Sequence, residues 1–286
     1  MRDVAREHDL DWHTVKELDK RYMEEQLKAA GPANPRVIGV DEISVGKGHK
    51  YRIVVSDLDK KRAILFGGKD RSEASMDEFH AFLGAKKSED LQMGVMDMWK
   101  AFSQSMQRHV SQSVILYDKF HILRHLGEAL DQVRKQEYRR LNGNKRKYIK
   151  GQKYNLLSHW ENLKSDTKTA LKHLLAANKR LQTAYFLKES FAQHWDYKRE
   201  VWVRKFFENW KSQLKWQRLK PYEKFAKLIE RHWEGIGAYC ESDKKPALGF
   251  VEGFNNKICV IQRRAYGLRD EDYLRLKVLT YMLPEL

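Results

Sequence analysis

The sequence predicts an α/β fold: a mixed five-stranded sheet with a large all-helical insertion, preceded by a short helical segment. Three observations carry that expectation. The stretch Val37-Ile38-Gly39-Val40-Asp41-Glu42-Ile43-Ser44 is apolar and β-branched, reads as a strand, and delivers a carboxylate, Asp41, near its end. Short strand-like runs joined by turns follow it, and then strands alternate with helical patterns. From residue 119 to residue 240 the pattern is helical throughout, and six of the eight tryptophans fall in this block, which argues that it has an aromatic core of its own.

Taken in order, residues 3–28 read as two helical pieces. Asp11 suits the N-cap of the second, whose Trp12, Val15, Leu18 and Tyr22 recur at helical spacing on one face. A short helix, a break and a second helix outline a helix-turn-helix, and a plain helical hairpin shares that outline. Residues 1–28 are thus expected to be a partial helix-turn-helix-like segment, and 29–35, rich in Ala, Gly and Pro, a linker. Residues 36–45, 51–56 and 62–66 read as three strands, joined by turns short enough to make them antiparallel neighbours. Residues 72–83 form an amphipathic helix capped by Ser72, with Met76, Phe79, Phe82 and Leu83 on one side.

Residues 91–96 are a fourth strand running into Asp97. A helix over 99–109 leads to a fifth strand, 113–117, that ends at Asp118. The order β-β-β-α-β-α-β, with the later strands linked through helices and so parallel, is that of a ribonuclease H-like core, in which the first strand lies beside the fourth. The expected organisation is a core over 36–118, a helical insertion over 119–245 and C-terminal core helices over 246–286.

Composition limits the partner. Lys and Arg outnumber Asp and Glu by 55 to 39, giving a net charge of +16 and a pI near 9.6, a balance that points to a polyanion. The stretch 119–150 carries ten Lys or Arg against three acids, and Arg134, Lys135, Arg139 and Arg140 are its candidate DNA contacts. The two cysteines, Cys240 and Cys259, make neither a disulfide framework nor a Cys-rich zinc site and suit a reducing compartment. No apolar run is long enough to span a membrane and the first residues lack an apolar signal core, so the expected location is the cytoplasm.

Asp41, Asp97 and Glu252 are the candidate catalytic and metal-binding acids. Phosphodiester cleavage assisted by two divalent ions needs hard oxygen ligands, and Mg²⁺ favours carboxylates over His or Cys. Asp41 and Asp97 end strands expected to be neighbours, and Glu252 follows the helical block in Gly249-Phe250-Val251-Glu252-Gly253. The bland alternative is that Asp97 and Asp118 simply cap the helices after them. Glu42 faces the other side of the sheet by strand alternation. After Glu252, Asn255 and Asn256 are candidate contacts to phosphate or base edges, and Lys257, Arg263, Arg264 and Arg269 offer phosphate charge.

Four motifs, Val-Ile-Gly-Val-Asp41-Glu-Ile-Ser, Val-Met-Asp97-Met-Trp-Lys-Ala-Phe, Tyr-Asp118-Lys-Phe-His121-Ile and Val-Glu252-Gly-Phe-Asn-Asn-Lys-Ile with its following Arg-Arg-Ala-Tyr-Gly, together resemble the DDE transposases of the bacterial ISL-three insertion-sequence family. The resemblance implies a ribonuclease H-like catalytic domain with a helical insertion before the last acid. Asp41, Asp97 and Glu252 match the family's three catalytic positions, and Asp118 and His121 match an accessory Asp-x-x-His motif expected to position DNA. It also implies two Mg²⁺ ions, with Mn²⁺ as substitute. Family members begin with a Cys/His zinc ribbon and a complete helix-turn-helix, so this chain reads as N-terminally truncated.

The expected function is metal-dependent cleavage and strand transfer of double-stranded DNA at an element's terminal inverted repeats, and of target DNA, by a homodimer bound to two ends in a bacterial cytoplasm at the nucleoid. Two rivals share the basic surface. A DNA-binding remnant would occupy or regulate element ends without catalysis, and a host nuclease of the same fold would cleave without joining.

Overall fold

The computed structural model describes residues 2–46, 48, 50–241, 248–265, 270–283 and 285. In chain order it contains α1 (Arg2–Glu7), α2 (Trp12–Ala29), β1 (Val37–Gly46), β2 (Lys50–Asp57), β3 (Arg62–Gly67), α3 (Glu73–Leu83), α4 (Ala85–Glu89), β4 (Met93–Met96), α5 (Lys100–His109) and β5 (Val114–Tyr117). The helices α6 (Lys119–Arg140), α7 (Gly143–Gly151), α8 (Lys153–Leu157), α9 (Ser165–Ala177), α10 (Lys179–Phe191), α11 (Glu200–Ser212), α12 (Lys220–Arg231) and α13 (Trp233–Glu241) come next, and α14 (Leu248–Arg264) and α15 (Glu271–Thr280) close the chain. Two units result: residues 1–116 with 245–286, and residues 117–244.

The first unit is built on a five-stranded mixed sheet of order β3-β2-β1-β4-β5, the ribonuclease H-like arrangement expected from the order of elements. β1 pairs antiparallel with β2 and parallel with β4, and the parallel register sets Val37 opposite Met93 and Val40 opposite Met96. β1 is thus hydrogen-bonded on both edges, which its fully buried Ile38 and Val40 require.

Helices cover both faces of this sheet. On the face of Gly39, Asp41 and Ile43, α14 supplies Phe254 and Ile258 to a core that includes Ile43, Val54, Phe66, Leu274 and Val278. Gly39 sets the closeness of that packing: a Cβ there would stand 2.5 Å from Val251 Cγ2 and 3.0 Å from Leu58 Cδ2. On the other face, a Cβ at Gly94 would meet Met106 Cε at 3.1 Å, so α5 packs onto β4 equally tightly.

The N-terminal helices belong to this unit but bury a different face from the one expected. Leu18 is 53% exposed, and Trp12 and Tyr22 are also exposed. The buried stripe is Met23 and Leu27 against Tyr273 and Leu276 of α15, edged by ion pairs of Lys16 and Lys20 with Asp270 and of Lys277 with Asp19. Apolar spacing misled because half of the seam is electrostatic. The caps expected at Asp11 and Ser72 are present, accepting from His13 N at 2.8 Å and Ser75 N at 3.2 Å.

In the second unit α6 packs against α10 and α12 with Leu126, Leu130 and Val133 buried. Its aromatic core gathers Phe191, Phe207, Trp210, Tyr222 and Phe225, and buried polar tips find partners: Trp210 Nε1 donates to Leu187 O at 2.9 Å and Tyr222 OH to Ala184 O at 2.6 Å. The tryptophans do not all join it. Trp195, Trp210 and Trp233 are buried, whereas Trp202 and Trp216 are 54% and 87% exposed. Among the described residues, no helix is long and apolar enough to cross a membrane.

His194 sits inside this core, stacked on Phe191 and edge-on to Trp195 and Trp233, and neither ring nitrogen has a hydrogen-bond partner. Burial lowers its pKa from 6.5 to about 4. The folded state therefore binds fewer protons than the unfolded one between those values, and stability present above pH 6.5 is lost as pH falls toward 4. Each such group contributes about 1.4 kcal/mol per pH unit inside the window. Urea unfolding at about pH 7.5 and about pH 5 should show wild type losing more stability on acidification than His194→Phe; equal losses would remove His194 as the cause.

A second expectation concerns the close approach at Gly39. Gly39→Ala should cost about 1–3 kcal/mol in equilibrium unfolding, because the stiff Val251 side chain must shift. Combining it with Val251→Ala should cost less than the sum of the two single changes by about 0.5 kcal/mol or more. Strict additivity would show that the two positions do not meet.

Candidate active site

Asp41 and Asp97 are brought together by register. Val40 is level with Met96 on adjacent parallel strands, so the next residues, Asp41 and Asp97, stand side by side, about 5 Å apart in the hydrogen-bonding direction. Asp97 follows the end of β4 as expected, but Asp41 lies mid-strand and not near a strand end, because β1 stays paired with β2 as far as Gly46. Strand alternation assigns both to the face that α14 covers. Each acid accepts from the amide that follows it: Glu42 N to Asp41 Oδ1 at 2.8 Å, and Met98 N to Asp97 Oδ1 at 2.6 Å. Asp97 does not cap the next helix, because the N-cap position of α5 is Trp99.

Glu252 lies in the second turn of α14, between the two residues that hold this helix to β1. Val251 packs over Gly39, and Asn255 Nδ2 donates to Asp41 Oδ2 at 2.5 Å. Residues 251 and 255 share one helix face, and Glu252 is exposed on its flank, one turn before Asn255. Among the described residues, no three His, Cys, Asp or Glu side chains converge closely enough to share a cation. The donor chemistry nevertheless suits a hard divalent ion: two level carboxylates, a third on α14 one turn before Asn255, and one buried amide oxygen, Asn255 Oδ1, with no donor.

The opposite face of the sheet carries a brace that sequence reasoning missed. Arg71, from the loop between β3 and α3, pairs with Glu42 at 2.5 Å and stacks over the Trp99 ring at 4.3 Å. Trp99 Nε1 returns a hydrogen bond to Arg71 O at 2.7 Å. The brace joins the residue after Asp41 to the residue two beyond Asp97. Glu42 faces away from Asp41, as alternation requires, yet it serves the same site. No local signal marks Arg71, because its partners are remote in sequence.

Comparison with known proteins decides the family. The family model for transposases of the ISL-three type matches residues 38–278. The chain belongs to the ISL-three transposase family. It is 33% identical over 278 residues to the transposase for insertion sequence element IS1001 of Bordetella parapertussis, covering 96% of this chain and 68% of that protein. It is 25% identical over 287 residues to the transposase for insertion sequence element IS1557 of Mycobacterium tuberculosis, covering 92% of this chain and 64% of that protein. The chain thus spans about two thirds of the length of these relatives.

In this chain the remaining candidate residues have unequal surroundings. Asp118 is buried and caps α6, accepting from Phe120 N at 2.8 Å, with His121 Nδ1 3.5 Å from its Oδ2. Asn256, Lys257, Arg263 and Arg264 are exposed on α14, and Lys257 lies over the Tyr281 ring. Arg269 lies outside the described residues. Lys135, Arg139 and Arg140 are exposed on α6, although Lys135 pairs with Asp131 and Arg140 with Glu137.

Arg134 corrects the expectation of a DNA contact. It is 8% exposed and holds Asp131 through Nε and Nη2, both at 2.7 Å. Burial pushes the Asp131 carboxyl up, but hydrogen bonds from Lys135 and Arg134 outweigh it, and the net shift is downward. Arg134→Met should therefore cost about 3 kcal/mol in unfolding, by leaving a buried carboxylate short of its partner. It should leave the salt dependence of DNA binding unchanged. A shallower salt slope in the variant would return Arg134 to the DNA surface.

Proposed function

We propose that this chain catalyses divalent-metal-dependent DNA strand cleavage and strand transfer at insertion-sequence ends, with Asp41, Asp97 and Glu252 as its catalytic acids. The observation that carries the reading is the level pairing of Asp41 and Asp97 at the centre of the sheet, in a chain whose family match includes both acids and Glu252. The substrates are the element's double-stranded terminal inverted repeats and the target DNA, held by a homodimer engaged with two ends.

The three carboxylates would hold two Mg²⁺ ions, or Mn²⁺ in their stead. Bound there, the ions would supply charge neutralisation at the attacking and leaving oxygens of an in-line displacement. Water attack on the phosphorus at the element end breaks the P–O3′ bond and frees a 3′-hydroxyl. That hydroxyl then attacks a target phosphodiester, forming one P–O bond as another breaks.

The chain's own groups prepare these steps. The Glu42 and Met98 amides fix the rotamers of Asp41 and Asp97, and the Arg71 brace ties the segment after β4 to the middle of β1. Asn256, Lys257, Arg263 and Arg264 are suited to grip the DNA backbone from α14. Asp118 and His121 serve as accessory positioning groups, and the α1–α2 pair as part of a DNA-reading module.

The test uses duplexes carrying the ends of the element that encodes the chain. With Mg²⁺, wild type should nick these ends and join them to target DNA, and EDTA should stop both steps. Asp97→Asn should lower cleavage about a thousandfold, roughly 4 kcal/mol of barrier, with DNA affinity kept. Affinity should fall steeply, by about 10³ or more, between about 50 and 200 mM salt. Cleavage that survives Asp97→Asn would sink the catalytic assignment; cleavage without joining would favour a nuclease.

A further inference from the structure

Asn255 has a second use built into its surroundings. α14 is seated on β1 by Val251 over Gly39, and one turn later the Asn255 amide meets Asp41. Its Nδ2 donates to Asp41 Oδ2 at 2.5 Å, while its Oδ1 is buried and has no donor. An unpaired buried acceptor carries the full penalty of desolvation, so the arrangement is costly unless another state uses that oxygen.

The chemistry of that other state is restrictive. The two ends of a primary amide differ only in being donor and acceptor, and a half-turn of the side-chain amide exchanges them. With Oδ1 turned toward the Asp41 Oδ2 carboxylate oxygen, two acceptors would face each other, and a positive centre between them makes that favourable. Amide oxygens beside carboxylates are ordinary ligands of hard divalent ions.

The geometry points to Asn255 as an oxygen ligand held in reserve. Without a cation, its Nδ2 occupies Asp41 Oδ2 and holds the carboxylate in place. When a divalent ion binds Asp41, the amide turns over and Oδ1 joins the ion's oxygen shell. This rests on the metal-dependent reading above and adds a donor to it. It also takes Asn255 away from DNA contact, and leaves that task to the exposed Asn256, Lys257, Arg263 and Arg264.

The test is Mn²⁺ binding to the full chain without DNA, followed by the electron paramagnetic resonance of free Mn²⁺. Wild type should bind, and Asp41→Asn should not. Asn255→Ala should bind about tenfold more weakly. Asn255→Asp should bind at least as tightly as wild type, since a carboxylate needs no turnover. Cooperative thermal unfolding in EDTA checks that each variant folds, and Asn255→Ser, with one oxygen on a shorter stem, takes the place of alanine if that variant does not.

The outcomes separate the two readings. If Asn255→Ala binds Mn²⁺ as tightly as wild type or more tightly, Asn255 only competes with the ion and the ligand role is overturned, while the metal site stands. If wild type binds no Mn²⁺, or Asp41→Asn leaves binding unchanged, the metal assignment at Asp41 itself fails, and this inference falls with it.

Discussion

How closely α14 can approach β1 decides what the centre of the first unit is able to do. Gly39 leaves no Cβ where Val251 needs to be, so the helix lies flush on the strand instead of a methyl group away. From that contact the rest follows geometrically. Asn255, one turn on, reaches Asp41, and Glu252, between them in sequence, is carried to the flank of the same contact. A small residue at the closest point of a helix–strand contact moves everything downstream on that helix, because protein interiors are packed too densely to absorb the difference.

The second constraint is the end of the β1–β4 ladder, where β4 stops while β1 runs on to Gly46. Parallel pairing makes Asp41 and Asp97 level, but a level register at the end of a short strand frays easily, and β4 is only four residues long. The Arg71 brace acts where fraying would start. It combines a charge-assisted hydrogen bond to Glu42 with stacking on Trp99, and both partners adjoin the acids without facing them. A charged residue on the far side of the sheet thereby keeps geometry on the near side.

Much of this was legible in the sequence, for identifiable reasons. The strand carrying Asp41, the strand order and the caps at Asp11, Ser72 and Asp118 all rest on local signals: alternation, short turns and capping chemistry. What escaped depends on partners distant in the chain. The buried stripe of α2 is set by α15, some 250 residues away, and is half ionic, so the apolar spacing of Trp12, Leu18 and Tyr22 pointed to the wrong face. Arg134 is one more cation in a basic run by sequence, and its burial depends on Asp131, one turn before it, which pairs with it inside. Asn255 read as a polar residue on a basic helix, and only the docking of that helix turns it toward Asp41.

The third acid raises a question of cost, since it returns to the sheet only after the chain has passed through the whole second unit. Closing a long loop is less expensive than its length suggests: each doubling adds about 0.6 kcal/mol. Burying one large side chain such as Phe254 contributes about 2 kcal/mol, more than that increment. α14 also carries Ile258 and Val251 into the core of the first unit, where its partners on β1, β2, β3 and α15 all belong to that same unit. The contacts named here that dock the helix bearing Glu252 and Asn255 lie within the first unit. A longer insertion adds little closure cost, whereas filling the contact at Gly39, or trimming Val251 or Phe254, would shift the helix that carries Glu252 and Asn255.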